Sequence, residues 1–164
     1  MKTKLIFAFL VLGIAVLLSS CFSAPKTYSK NFAEDMPEDQ GAEITFGSGI
    51  HLREWNDIDM KENLYGKKKT RYHDTINLTV PAGSSNFLIS VVFTFTNNSS
   101  HTVENVELDY YLDEGRKYEI KRRFNSLGLK RGSWSTYMYY ELFVEIFDIT
   151  EDPVLLKEWR LGET

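Results

Sequence analysis

The chain has 164 residues, 43% of them apolar, with 11 Phe, 9 Tyr, 3 Trp and a formal charge of −4. That aromatic density excludes a wholly disordered polymer, and the length holds one domain of ordinary size plus an appendage. One Cys excludes an internal disulfide framework or a multi-cysteine zinc site, and the negative balance weighs against a nucleic-acid partner.

The chain opens with Lys2 and Lys4 ahead of an uncharged run, LIFAFLVLGIAVLL, at residues 5–18. A basic end, an apolar middle and a small-residue exit make the layout of a secretory signal. As a helix the run would span about 21 Å, short of the roughly 30 Å hydrocarbon core of a bilayer, so a permanent span is not expected. Leu18, Ser19, Ser20 and Cys21 follow, and this tetrad resembles the lipobox of bacterial lipoproteins. The resemblance implies a signal peptide over 1–20, a diacylglycerol on Cys21, cleavage on the amino side of that residue, and a lipid anchor in the bacterial cell envelope. One acyl chain binds a membrane only marginally, whereas two or more hold it stably. Loss of Lys2 and Lys4 with the signal leaves 17 of the 19 basic residues against 23 acidic ones, a formal charge of −6.

Residues 21–42 contain two Pro, scattered Ser and Lys, and the acidic group Glu34, Asp35, Glu38 and Asp39, without an apolar period. They read as an extended tether. From residue 43 to 164 the dominant period is two. The run FLISVVFTFT puts Phe87, Ile89, Val91, Phe93 and Phe95 on one face of a strand. Asn97 to Ser100 supply a turn, and Val106, Leu108, Tyr110 and Leu112 share a face of the returning strand. After Asp113, Glu114 and Gly115, Tyr118 and Ile120 resume the alternation, so a three-strand meander is expected. Further strands are expected over 43–46, 50–55, 76–80, 136–149 and 154–161. The stretch from Trp134 is long enough to need a bulge or bend. A helical turn is expected between Asp57, as N-cap, and Gly66, as the stop.

Seven or eight strands with polar turns and no long helix predict an all-β fold, an antiparallel two-sheet Ig-like sandwich, with a small closed barrel as the alternative. The stretch from Phe93 to Lys117 also resembles FxLYD-type and related Ig-like envelope domains, in which one strand ends in an Asn and small-residue turn and the next in an acidic-Gly turn. That resemblance implies the fold and carries no catalytic residue.

His51, His73 and His101 are too scattered to preform a metal face, and Asp57, Asp59, Glu62 and Asn63 lack the Gly and Glu spacing of a calcium loop. His73 beside Asp74 is no catalytic pair, because neighbours along a strand point apart. Neither a nucleophile elbow nor a Gly-rich phosphate loop occurs, so neither an enzyme nor a cofactor is expected. Lys67, Lys68, Lys69 and Arg71 form a basic cluster that suits an anionic lipid or glycan phosphate, or is simply a solvated loop.

In SWSTYMYYELFVEIF, Thr136, Met138, Tyr140, Leu142, Val144 and Ile146 make a core-like face. Tyr137, Tyr139 and Phe143 share the other face with Glu141 and Glu145. Carboxylates without cationic partners resist burial, so this face is expected to be wet, with the three aromatics as a binding platform. The expected function is that of a non-catalytic interaction module of the envelope. Its partner would be a protein or, on the alternative reading, a carbohydrate or small ligand stacked on that platform.

Overall fold

The computed structural model describes residues 25–66, 73–95, 99–131 and 136–163. The chain is an all-β sandwich. Its ten described strands are β1 (Thr27–Asn31), β2 (Gly41–Phe46), β3 (Ile50–Trp55), β4 (Ile58–Asp59), β5 (Thr75–Pro81), β6 (Gly83–Thr94), β7 (Ser100–Leu112), β8 (Lys117–Arg131), β9 (Thr136–Asp148) and β10 (Val154–Glu163). One sheet has six strands in the order β1-β5-β2-β8-β9-β10, the other four in the order β4-β3-β6-β7.

Alternation decides which side of each strand turns inward. Phe87, Ile89, Val91, Phe93 and Phe95 are all buried, as are Val106, Leu108 and Leu112 on β7 and Leu142, Val144 and Ile146 on β9. Phe46 of the larger sheet meets Phe87 of the smaller one edge to face, with centroids 5.5 Å apart, so the two inner faces share one core. Each apolar side chain taken fully from water there stabilises the fold by roughly 1.5–3 kcal/mol.

Four expectations are corrected. The segment 21–42 is not all tether, because Thr27–Asn31 pairs in parallel with β5 and buries Tyr28. The expected antiparallel sheets contain two parallel pairs, β1 with β5 and β2 with β8. The meander is broken, since β6 and β7 form a hairpin in the smaller sheet while β8 lies in the larger one. The turn between β7 and β8 is therefore a crossing, held by the Gly115 N–H donating to Gly41 O at 2.9 Å and the Asp113 N–H donating to the Tyr118 hydroxyl at 2.9 Å. Finally, Asp57 is no helix cap. Asn56 and Asp57 both have positive φ and join β3 to β4 as a tight turn, a backbone that Asn and Asp tolerate. Met60 begins the helical turn Lys61–Tyr65 instead, with Asp59 ahead of it accepting the Lys61 N–H at 2.6 Å, and Gly66, at φ 59°, stops it.

The length of β9 needs no bulge in β9 itself. Its partners carry the irregularities, with register shifts between Ser126 and Gly128 on β8 and at two places on β10. Beyond the sandwich the β8–β9 hairpin continues as an arm. β2 pairs with β8 only as far as Phe46 opposite Ile120, whereas β9 accompanies β8 to Arg131.

Candidate functional site

The register of β8, β9 and β10 brings together the outer-face residues singled out in the sequence. Glu145 lies between Lys121 and Glu158, Phe143 between Arg123 and Arg160, and Glu141 between Asn125 and Glu163. The charges are arranged to satisfy one another. Arg123 Nε meets Glu145 Oε1 at 2.5 Å and a second guanidinium nitrogen pairs with Glu158, while Arg160 Nε meets Glu141 Oε1 at 2.7 Å. Hydrogen bonds to Glu145, and then to Glu158, hold the Arg123 guanidinium's pKa above its ordinary value.

This lattice changes the platform. Phe143 is only 6% exposed, and the Arg123 guanidinium carbon stands 4.2 Å from its ring centroid. Phe143 is thus roofed by an arginine and offers no open ring for stacking, and Glu145, also buried, has the cationic partner that the sequence alone does not reveal. Tyr139 is half-buried, with its hydroxyl donating to Glu163. The Tyr137 side chain, the basic cluster Lys67, Lys68, Lys69 and Arg71, and the lipobox with Cys21 lie outside the described residues.

The histidines do not converge. His73 is exposed, while its neighbour Asp74 is buried and accepts the Lys26 N–H at 2.9 Å. His51 stacks on Tyr65 with centroids 4.9 Å apart, and burial, followed by the charge of Arg53, lowers its pKa. Tyr65 donates to Leu52 O at 2.9 Å, and burial raises its pKa strongly. Beside it Tyr28 makes an edge contact at 5.3 Å and keeps a buried hydroxyl without a hydrogen-bond partner among the described residues. No group of three or more His, Cys, Asp or Glu able to hold a metal occurs among the described residues.

The feature that pattern reading missed is the arm. Its inward face begins with a closed aromatic group: Phe95 stacks on Tyr140 at 4.1 Å, and Phe124 meets both rings edge-on. Farther out the same face carries Leu129, 72% exposed, opposite Met138, 41% exposed. Leu127 of the bulge and Val154, Leu155 and Leu156 of β10 are also exposed. At the root of the arm, where β2 leaves β8, a shallow solvent-open recess of about 250 Å³ is lined by Gly47, Ser48, Glu119, Lys121 and Arg122. The signal was present in the apolar letters after KRR, but their exposure depends on where β2 ends.

No protein-family model, curated protein or solved structure matches this chain.

Proposed function

We propose that this chain is a bacterial envelope lipoprotein, anchored to a membrane by acyl chains on Cys21, whose β-sandwich is a non-catalytic protein-interaction module. The anchoring reading rests on the single Cys standing directly after the apolar run and two serines. The interaction reading rests on one observation, the exposed apolar side chains of the β8–β9 arm, where Leu129 is 72% and Leu127 48% exposed. Large apolar side chains grouped outside a completed core mark surfaces that a partner covers. A roofed Phe143 moves the favoured contact surface from the outer sheet face to this arm.

The test uses the full chain with its leader, carrying a photo-crosslinking residue at Leu129 in one form and at the exposed Glu107 of β7 in the other. The expected outcome is recovery in the membrane fraction, with a discrete heavier protein adduct from position 129 alone. Recovery in the soluble fraction, or no protein adduct from position 129, overturns the reading.

A further inference from the structure

We infer that the open edge of β8, from Lys121 to Leu129, accepts an extended partner segment of alternating acidic and apolar residues as an added strand. The inference rests on the interaction-module reading and names its site and partner chemistry.

The backbone geometry is the starting point. Gly47 N–H donates to Ile120 O at 2.9 Å, so even-numbered residues at the start of β8 direct their peptide groups toward β2. Lys117 O accepts from Ile149 N–H at 2.8 Å, so odd-numbered ones direct theirs toward β9. β2 ends at Phe46, opposite Ile120, and the chain leaves for the other sheet through Gly47, Ser48 and Gly49. By the same alternation Arg122, Phe124 and Ser126 turn their N–H and C=O groups to a side on which no described strand lies. Beyond the register shift at Ser126/Gly128 the alternation switches, and Leu129 continues the row. The recess at Gly47 and Arg122 lies where a strand prolonging the line of β2 would begin.

The other edges are blunted. β4 has two residues and β1 has five. β7 is interrupted at Asn105, with φ 57°, and exposes Glu104, Glu107 and Asp109. β10 carries two register shifts. Bulges, short lengths and charges of this kind suppress unwanted pairing, whereas β8 between Lys121 and Ser126 runs regular and open.

Side-chain chemistry selects the occupant. Residues 121–131 include Lys121, Arg122, Arg123, Lys130 and Arg131 and no carboxylate, in a chain where acidic residues outnumber basic ones. Lys121, in an exposed ion pair with Glu119, and Arg123, paired with Glu145 and Glu158, lie on the outer face, where an incoming carboxylate shares cations already held in surface pairs, and Phe124 and Leu129 lie on the inner face. An added strand meets these two sets alternately, so acidic residues suit one side and apolar residues the other. A second copy paired antiparallel through this edge would set the basic start of one β8 near the basic end of the other, a like-charge arrangement that opposes such a dimer.

The probe is a blocked nonapeptide in which Glu alternates with Val, read by amide hydrogen exchange on the full chain. Without peptide, the amides of Arg122, Phe124 and Ser126 exchange rapidly, and peptide slows them by about tenfold or more. Ser126→Pro removes an outward N–H without touching the β9 ladder and abolishes the protection, whereas Ser126→Ala retains it. Should the proline variant unfold, Lys121→Glu takes its place and weakens binding severalfold. The inference is overturned by absent protection, by protection on β7 or β10 instead, by equal binding of the peptide with Lys in place of Glu, or by protection that grows with protein concentration alone. Failure here with the position-129 protein adduct intact rejects the edge site and leaves the interaction module standing. Loss of that adduct rejects the module itself.

Discussion

A β-carbon on Gly49 would overlap the guanidinium group of Arg122 and lie 2.8 Å from the carbonyl oxygen of Val92. The glycine is also at φ +85°, which costs other residues about 1–2 kcal/mol before any contact is counted. The absent side chain lets Arg122 reach across the sandwich, donating to Ser48 O at 2.9 Å and to Val92 O. Burial lowers the guanidinium's pKa, so these carbonyls replace part of its lost hydration.

Gly49→Ala is therefore expected to destabilise the fold by about 2–3 kcal/mol, as backbone strain and steric contact combine. In an Arg122→Ala background the same change costs less, because only the φ penalty and the Val92 contact remain. Urea denaturation of the four proteins in this double-mutant cycle checks the claim. Additive losses would disprove the contact.

Phe93 and Leu108 have no exposed surface, and each belongs to the inward phase of a strand. Truncation of either to Ala is expected to cost roughly 2–5 kcal/mol through lost burial and the cavity left behind. Calorimetry showing an unchanged midpoint in both variants would contradict the inward assignment.

Arg123→Ala strips the cover from Phe143 and leaves the buried Glu145 carboxylate without its closest cation. The side chain of Arg123 is partly exposed, which screens the pair, so the expected loss is about 2 kcal/mol rather than the larger cost of breaking a dry ion pair. Replacing both partners, Arg123→Met with Glu145→Leu, is expected to recover most of it. Chemical denaturation that finds the single and double variants equally weak would refute this account of the outer face.

How much of this was legible in the sequence depended on range. β3 was expected at residues 50–55 and occupies them, and the inward phases of β6 and β7 follow from five and four alternating apolar residues. β1 escaped because TYSKN buries Tyr28 alone, too little to show a period. The crossing after β7 escaped because Asp113, Glu114 and Gly115 serve a hairpin and a sheet-changing turn equally well. The charge lattice escaped because Arg123, diagonal to Glu145 on β8, and Glu158, opposite it on β10, come from two different strands, and a register shift between Leu155 and Lys157 sets which β10 residue faces Glu145. The tetrad Leu18, Ser19, Ser20 and Cys21, by contrast, is a local pattern, read without any fold.

The acid response follows from His51. Burial lowers its pKa below 6.5 in the folded state, so as pH falls through about 6.5 the unfolded chain takes up a proton first. Stability is full above that value, declines beneath it, and levels off below the folded pKa. His51→Phe keeps the stacking partner of Tyr65 and is expected to flatten this part of the profile. Denaturation midpoints measured from about pH 7.5 to 5.5 decide it, and an identical slope in the variant would rule His51 out.

The central claim is anchoring through Cys21, which mass spectrometry of the amino-terminal peptide from the membrane fraction tests directly. The account predicts a chain that begins at Cys21 and carries a diacylglycerol. A peptide that retains residues upstream of Cys21, or an unmodified thiol on that residue in protein released by a high-salt and carbonate wash, would contradict it.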